Sequence, residues 1–338
     1  MTTVLSASTD EEALCRCLAS GLPEALGRRC AITGVSRRRF DLATSYEAQI
    51  VFVRLDTGEE VKVFLKDFSS TVRPKDWPKQ RREREVRVYR ELLAGAGLGT
   101  PRYYGSVLDE SGGRLWLLLE FVEGTPVGYL DIAGYWAPAA AGLGRLHGHF
   151  AAQAERLSGC DFLVRHDADF FWARAELAGR CVAQIAPRLA GQLKRIVDRY
   201  GAVVDLMAGQ RRTLVHGGCR STNILVQVAS DPGRVCIIDW EEAAFGAPLL
   251  DLAYPLDGIE PPTLDPLLDA YVAEARACDL SLPPRRDMKH VIDCFRLHMT
   301  LAMLARAMLK GYKEKDVAKL IAIAGRLSDS VCGGGSQC

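Results

Sequence analysis

Two segments in the second half of the chain carry polar residues in an order that suits phosphate chemistry. They are TLVHGGCRSTNILVQ, from Thr213 to Gln227, and VCIIDWEEAAFGAPLLDLAY, from Val235 to Tyr254. Asn223 precedes an apolar, strand-like run, and Asp239 follows another. Amide and carboxylate oxygens are the ligands that a small, hard cation such as Mg²⁺ prefers. Asn223 and Asp239 are therefore predicted to be magnesium ligands, and the alternative is a capping asparagine and a turn aspartate.

A lysine and a glutamate nearer the N-terminus form a second pattern. Lys66 ends the apolar run VFLK, and Glu85 lies in the following helix-like segment, one turn before Tyr89. A strand lysine held by a helix glutamate is an arrangement that pairs with the α- and β-phosphates of a nucleotide. Glu85 is the predicted partner and Glu83 the second choice. The alternative is a surface lysine beside a solvated, charged helix face.

These segments resemble the aminoglycoside phosphotransferase and choline kinase family of protein-kinase-like enzymes. The family pattern runs His-Gly-Asp-x-x-x-x-Asn, then Ile-Asp-Trp-Glu, then Gly-x-Pro-x-x-Asp-Leu-Ala. The chain has HGGCRSTN, IDWE and GAPLLDLA at the matching places, and the resemblance extends from about Ile32 to Leu309. It implies transfer of phosphate from ATP, with Mg²⁺, to a hydroxyl or amino group of a small molecule.

The resemblance also implies roles for residues that the spacing alone does not single out. His216 belongs to the catalytic loop, and Asp251 is expected to brace that loop by hydrogen bonding near His216. The phosphate-covering loop lacks a Gly-x-Gly sequence, so hydroxyl side chains, Tyr46 among them, are the expected donors. The predicted cofactor-binding residues of this loop and of the hinge segment LLLEFVEG are Thr44, Ser45, Glu120 and Val122.

Gly218 departs from the pattern, because it stands where the family has the aspartate that accepts the acceptor's proton. It lies five residues before Asn223, the spacing of that base in the protein-kinase catalytic loop. Three explanations stay open: a kinase that uses a water, Glu241 or Glu242 instead; a nucleotide-binding pseudokinase or scaffold; and an inactivated variant of an active enzyme. A positioned base contributes about 10²–10⁴-fold. Gly218→Asp is therefore predicted to raise transfer by about 10²-fold.

The elements that must position these residues begin with a small sheet. An amphipathic helix from about Glu11 to Leu26 is followed by two strands joined at Asp56-Thr57-Gly58, a hairpin signal. A helix in DWPKQRREREVRVYRELLAGAG and the apolar strand RLWLLLEFVEG come next. From Ala133 onward the apolar spacing is helical, and two helices, near 266–277 and 287–310, are expected to close the chain.

The predicted fold class is α+β, a bilobal protein-kinase-like fold with a small antiparallel-sheet N-lobe and a largely helical C-lobe. The expected N-lobe covers residues 1–124 and the expected C-lobe residues 125–325. Residues 326–338, rich in glycine and ending in cysteine, are expected to form a flexible tail.

Composition limits the partners and the location. The 338 residues carry a formal net charge of +1, which gives no reason to expect nucleic acid or an anionic membrane as a partner. No apolar run is long enough for a membrane span, and the N-terminus has no signal-peptide pattern, so a cytoplasmic protein is expected. The eleven cysteines show no zinc spacing. The expected partners are a nucleotide and a small-molecule acceptor.

The acceptor itself stays open among alcohols, amino sugars, choline-like amines and macrolides. A polycationic acceptor would meet acidic side chains, for which the last third of the chain offers Asp251, Asp257, Glu260, Asp265, Asp269 and Glu274. Aromatic side chains that could bind a cation are Trp240, Tyr254 and Tyr271. Helix caps and surface charges are the alternative for the acidic residues.

Overall fold

The computed structural model describes residues 9–42, 45–109, 111–228, 233–254 and 263–333. The helices are α1 Thr9–Leu26, α2 Pro78–Arg87, α3 Ile132–Ala151, α4 Ala154–Ser158, α5 Ala168–Ile185, α6 Ala190–Asp198, α7 Gly201–Ala208, α8 Leu250–Ala253, α9 Leu264–Ala277, α10 Arg285–Ala305 and α11 Glu314–Gly333. The strands are β1 Ile32–Arg39, β2 Tyr46–Leu55, β3 Glu60–Thr71, β4 Tyr103–Asp109, β5 Arg114–Glu120, β6 Thr125–Pro126, β7 Val164–Arg165, β8 Thr213–Val215, β9 Ile224–Gln227, β10 Arg234–Ile237 and β11 Ala244–Gly246.

The chain divides into two compact units. The first unit contains Met1–Gly124 and Gln227–Glu241, and the second contains Thr125–Val226 and Glu242–Cys338. The sequence instead predicted one continuous C-lobe segment from residue 125. Part of that segment belongs to the first unit because β10 is bonded there: the Ile237 amide donates to the Gly99 carbonyl at 2.8 Å.

The C-terminal helix corrects a second expectation. A flexible tail was predicted from residue 326, but α11 continues to Gly333. The reason is packing, since Ser328 and Val331 are both buried on the inner face of this helix. Residues 334–338 lie outside the described part of the chain. Three helices, α9, α10 and α11, follow residue 263, where the sequence predicted two.

The first unit is built on a five-stranded antiparallel sheet of order β1-β2-β3-β5-β4. The predicted hairpin is β2 and β3, and its turn is closed by the Gly58 amide, which donates to the Leu55 carbonyl at 3.0 Å. The sequence pattern did not reveal β1 or β4. The first is mostly exposed and rich in arginine, and the second changes register between Tyr103 and Gly105.

Helix α1 covers one face of this sheet. Leu14, Leu18 and Leu22 recur every four residues, so they form one helical stripe, and all three are fully buried. Each such leucine contributes roughly 1.5–3 kcal/mol through burial. Gly21 lets the helix approach β4 closely, because a Cβ atom there would lie 1.8 Å from the Tyr104 carbonyl oxygen. The sheet that carries Lys66 is thereby supported from behind.

The second unit is largely helical and includes a small sheet of order β7-β11-β8. Strand β11 follows directly on the Trp240 segment, and β8 leads into the predicted catalytic loop. Helices α5 and α10 pack through aromatic rings, with the Phe171 and His298 centroids 4.7 Å apart. None of the helices in the described ranges is long and apolar enough to cross a membrane.

Candidate active site

Lys66 lies at the centre of a buried group of charges in the first unit. Its ammonium donates to both carboxylate oxygens of Glu85, at 2.9 and 2.7 Å, and to Oδ1 of Asp239 at 2.7 Å. Lys66 and Glu85 are only 8% and 1% exposed. The predicted Lys66–Glu85 contact is therefore present. Glu83, the second choice, instead lies 3.9 Å from Arg87.

The carboxylates around Lys66 determine its charge state. Burial alone would lower the pKa of Lys66, but the charges of Asp239, Glu85 and Glu241 outweigh it and raise that pKa. Burial raises the pKa of Glu85 to about 7, although the Lys66 ammonium opposes this. The lysine is thus held as a cation in a site from which most water is excluded.

Glu241 adds a third carboxylate whose oxygens lie within 4.8 Å of those of Glu85 and Asp239. It is bonded to Lys75 and lies 3.4 Å from Arg81 Nη1. Lysine and arginine side chains therefore balance this acidic group. The three carboxylates thus belong to a network of ion pairs with Lys66, Lys75 and Arg81.

Asp239 is the most exposed carboxylate of the three, with 34% of its side chain accessible. Its φ of 68° lies in the left-handed region, which is uncommon for residues other than glycine and concentrates at functional sites. A carboxylate has about four acceptor positions. The donor type suits a hard cation such as Mg²⁺, so this residue fits the predicted metal role.

The predicted catalytic loop in the second unit is held through its backbone. Asp251, which is fully buried, accepts the His216 amide at 2.6 Å and the Gly217 amide at 2.9 Å. Its Oδ2 also lies 3.0 Å from Nε2 of His147, whose Nδ1 is 2.9 Å from the Tyr271 hydroxyl. The expectation that Asp251 braces this loop near His216 is confirmed.

Asp251 stays ionised in spite of its burial. Burial alone would raise its pKa, but the hydrogen bond and charge of His147, together with the interactions of His216, hold the pKa of Asp251 below its usual value. A buried carboxylate that accepts backbone amides is well suited to fixing a loop, because it satisfies donors that water cannot reach.

Gly218 and Asn223 are joined within the same loop. The Asn223 side-chain amide donates to the Gly218 carbonyl at 3.3 Å, and the Gly218 amide donates to Nδ1 of His216 at 3.3 Å. Donation through Nδ2 leaves the Asn223 carbonyl oxygen as an acceptor. Because Asn223 lies in the second unit and Asp239 in the first, their joint binding of one ion stays a prediction.

The remaining predicted nucleotide residues lie in the first unit. The Glu120 amide donates to the Arg102 carbonyl at 2.9 Å, and its carboxylate accepts from Arg234 at 2.5 and 2.9 Å. Val122 is 9% exposed. The Ser45 carbonyl accepts the Val72 amide at 3.0 Å. Thr44 lies outside the described residues.

The prediction that three aromatic side chains could bind the acceptor is wrong for two of them, because both are buried. Trp240 is fully buried and donates to the Ile237 carbonyl at 3.1 Å. Tyr271 is also fully buried and bonds to His147. Both are packing residues. Tyr254 is half-buried, and its ring already faces a cation, the Arg220 guanidinium, at 5.8 Å.

The acidic residues proposed for a polycationic acceptor are dispersed. Asp265 and Asp269 both pair with Arg285, and Glu274 pairs with Arg145 at 2.9 Å. Asp251 is the buried loop brace described above. Asp257 and Glu260 lie outside the described residues. The described members of this set thus act as a brace or as paired surface charges.

Residues 42–288, well over half of the chain, match the model of the phosphotransferase enzyme family. The chain belongs to this family. The resemblance predicted from HGGCRSTN, IDWE and GAPLLDLA is therefore confirmed. No curated protein sequence matches the chain significantly.

Solved structures similar to this family member include enzymes with different acceptors. Choline kinase from Cryptosporidium parvum Iowa II is 12% identical, with a TM-score of 0.62 over 89% of this chain and 91% of that one. Macrolide 2'-phosphotransferase MphH from Brachybacterium faecium is 17% identical, with a TM-score of 0.57 over 98% and 100%. The GDP and kanamycin complex of APH(2")-IIia is 14% identical, with a TM-score of 0.57 over 92% and 98%.

At these identities the similarity shows the fold alone. The predicted protein-kinase-like α+β fold, with an antiparallel-sheet N-terminal unit and a largely helical C-terminal unit, is confirmed.

Several contacts of this phosphotransferase-family protein were not predicted. Lys66 and Asp239 are 173 residues apart, and no local pattern pairs them. Lys75 and Arg81 lie in a segment so rich in charge that it indicated a solvated face. The contacts of His147 with Asp251 and Tyr271 were also not predicted. A histidine inside the apolar helix segment GLGRLHGHF indicates a buried hydrogen bond, so the sequence does carry a signal for them.

Proposed function

We propose that this protein transfers a phosphoryl group from ATP, with Mg²⁺, to a hydroxyl or amino group of a small molecule. The observation that carries the proposal is the buried Lys66, kept charged by Glu85 and Asp239. Phosphoryl transfer requires a cation at the phosphates and a carboxylate for the metal, with little covalent chemistry from the protein. The same three residues supply both within one unit.

In this proposal Lys66 pairs with the phosphates, and Glu85 holds its ammonium in place. The backbone of Glu120 and Val122 binds the adenine, and the hydroxyl of Ser45, with that of Thr44, covers the phosphates. His216, Gly218 and Asn223 form the catalytic loop of the second unit together with Asp251. A protein that uses ATP in this way is proposed to be cytoplasmic.

Asp239 and Asn223 are the residues that would hold Mg²⁺. The bound ion would neutralise negative charge that develops on the phosphate oxygens. The protein's own contribution is to orient these oxygen donors: Lys66 fixes one oxygen of Asp239, and the Gly218 carbonyl fixes the amide of Asn223.

The acceptor is proposed to be a small molecule, as in similar proteins whose names specify choline and macrolides. The structure of a third similar protein contains GDP and kanamycin, so GTP is a donor worth testing beside ATP. Asp265, Asp269 and Glu274 do not favour a polycation, because arginines already pair with them.

A second candidate function is nucleotide binding without transfer. The observation that favours it is Gly218, which has no carboxylate to accept a proton. The nucleotide-binding side of the site is the same in both candidates, so binding alone does not separate them.

The test is product formation with intact protein. The protein is incubated with Mg²⁺ and ATP or GTP, and separately with kanamycin, a macrolide and choline, and mass spectrometry measures phosphorylated acceptor. A phosphorylated product that disappears in Lys66→Ala supports transfer. Nucleotide binding without phosphorylation of any of these acceptors, or of a broader panel of alcohols and amines, supports the second candidate instead.

A further inference from the structure

The space beside Gly218 is occupied by another carboxylate. A Cβ atom built on Gly218 would lie 3.1 Å from Oε2 of Glu242 and 3.5 Å from its carboxyl carbon. The first distance is shorter than an ordinary van der Waals contact. An aspartate side chain at position 218 would extend into the volume that this carboxylate already fills. Both residues belong to the second unit.

The Glu242 side chain is held in this position from its other side. Its Oε1 lies 3.0 Å from Nη2 of Arg306, the residue that caps the end of α10, while Oε2 faces Gly218. Only 22% of the Glu242 side chain and 19% of the Arg306 side chain are exposed. An arginine at this distance stabilises the carboxylate form. The two oxygens thus have different surroundings.

The main chain brings Glu242 to the loop as well. A Cβ atom on Gly217 would lie 2.2 Å from the Glu242 carbonyl oxygen, and the φ of Gly217 is +75°, a conformation that favours glycine. The loop backbone is fixed in turn by Asp251, which accepts the Gly217 amide. Two adjacent glycines therefore let the Glu242 backbone and side chain pack directly on the loop.

Glu241, the other carboxylate next to Trp240, is engaged elsewhere. It is bonded to Lys75 and Arg81 in the first unit. Around Glu242, by contrast, burial raises the pKa of Tyr254 and the Glu242 charge raises it further, while Arg220 and Arg306 oppose the rise. The charge of Glu242 thus acts on the same half-buried tyrosine as the charges of Arg220 and Arg306.

We propose that Glu242 is the catalytic base of this protein. Its carboxylate would accept the proton of the acceptor in place of an aspartate at position 218. This inference rests on the proposed phosphotransferase function. The acceptor hydroxyl would form a new O–P bond to the γ-phosphorus, and its proton would pass to Oε2 of Glu242. The bond between the γ-phosphorus and the bridging oxygen breaks, and ADP leaves with that electron pair. Glu242 later returns the proton to water.

The position of Glu242 changes the expectation for Gly218→Asp. Added alone, this aspartate places a second negative charge in the same space, where like charges repel and Glu242 is displaced. A gain of activity is then expected only when Glu242 is removed at the same time. The catalytic carboxylate can thus come from position 242 or from position 218, but not from both at once.

The experiment compares kcat and nucleotide KM for the wild type, Glu242→Gln, Glu242→Ala, Gly218→Asp and Gly218→Asp/Glu242→Ala. Glutamine keeps the size and the acceptor oxygen for Arg306, so folding is preserved, and thermal melting checks each variant. The exposed Glu176→Gln on α5 is the matched control. ADP release is measured with Mg-ATP and the acceptor that turns over fastest, or with water if hydrolysis is the only reaction.

Glu242→Gln and Glu242→Ala are expected to lower kcat by about 10²-fold or more, with nucleotide KM unchanged, because a base acts on the acceptor. The double variant is expected to recover most of the loss, and Gly218→Asp alone to be slower than the wild type. Unchanged kcat in Glu242→Gln, or a double variant no faster than Glu242→Ala, would overturn the inference while leaving the phosphotransferase function intact. A wild type that binds nucleotide but turns over nothing, water included, would overturn both.

Discussion

Lys66 in the first unit and His166 in the second are both buried nitrogen bases, at 8% and 5% exposure, yet their pKa values shift in opposite directions. Three carboxylates raise the pKa of Lys66 in spite of burial. For His166 burial dominates and lowers the pKa to about 4, although the charges of Asp251 and Glu242 oppose it. Burial is similar, so a carboxylate at hydrogen-bonding distance decides whether a buried base keeps its charge.

The same contrast separates the predicted site residues of the first unit from those of the second. In the first unit, side-chain charges contact one another directly, as in Lys66–Glu85. In the second, the loop from His216 to Gly218 is held by backbone amides that donate to Asp251. Changes at Lys66 in the first unit should therefore mainly alter ligand binding, and removal of Asp251 from the second should mainly alter folding stability.

Removing Asp251 should give the largest loss of stability. Asp251→Ala leaves the buried His216 amide, the partly buried Gly217 amide and His147 without their acceptor, so a loss of about 3–5 kcal/mol in the free energy of unfolding is expected. Urea denaturation measures it. The control is Asp329→Ala, which breaks an exposed pair with Arg199 and should hardly change the free energy of unfolding. A comparably small loss for Asp251→Ala would contradict the bracing role.

Lowering the pH should reduce the folding stability through His166, which is neutral in the folded protein. Its pKa is about 4 in the folded protein against the ordinary 6.5, so between these values only the unfolded chain binds the proton. Stability from this group is complete above pH 6.5, and about 3 kcal/mol is lost as the pH falls towards 4. The pH dependence of unfolding should be shallower in His166→Leu. Parallel curves for the two proteins would show that His166 already has a charge partner.

Lys66→Ala should affect ligand binding more than stability. Glu85 would lose its cation, but a group with a pKa of about 7 can take up a proton, so the expected loss of stability is about 1–3 kcal/mol. Nucleotide affinity should fall about tenfold or more, because a charged hydrogen-bond donor is removed. Isothermal titration calorimetry measures the affinity.

Lys62→Ala on the same strand is the matched control. Lys62 pairs with Glu123 at the surface, and an exposed pair contributes only about 0–1 kcal/mol. Equal losses of nucleotide affinity in the two lysine variants would show that Lys66 is not the phosphate-binding lysine.

The sequence predicted the parts of the site that local spacing determines. Lys66 ends the apolar run VFLK, and Glu85 lies on the inward face of the next helix, so strand and helix periodicity were enough to select them. The strand itself continues beyond Lys66, because β3 extends to Thr71. Asp251 followed from its place in GAPLLDLA. The hairpin of β2 and β3 followed from its turn residues.

The remaining features depend on long-range packing. The approach of Glu242 to Gly218 requires two distant turns to meet, and no periodicity encodes it. The sequence does not predict the burial of Trp240 and Tyr271, because residue type alone does not distinguish a buried aromatic side chain from an exposed one. Strand β1 was missed because exposed arginines obscure its alternation.

The most direct test of the proposed nucleotide site is calorimetric titration of ATP into the intact protein, with and without Mg²⁺, for the wild type and Asp239→Asn. The substitution keeps the size of the side chain and removes the charge beside Lys66. We predict that Mg²⁺ strengthens ATP binding to the wild type, and that Asp239→Asn largely abolishes this dependence while binding ATP alone. Absence of ATP binding at millimolar concentration with Mg²⁺, or the same Mg²⁺ dependence in both proteins, would contradict the account.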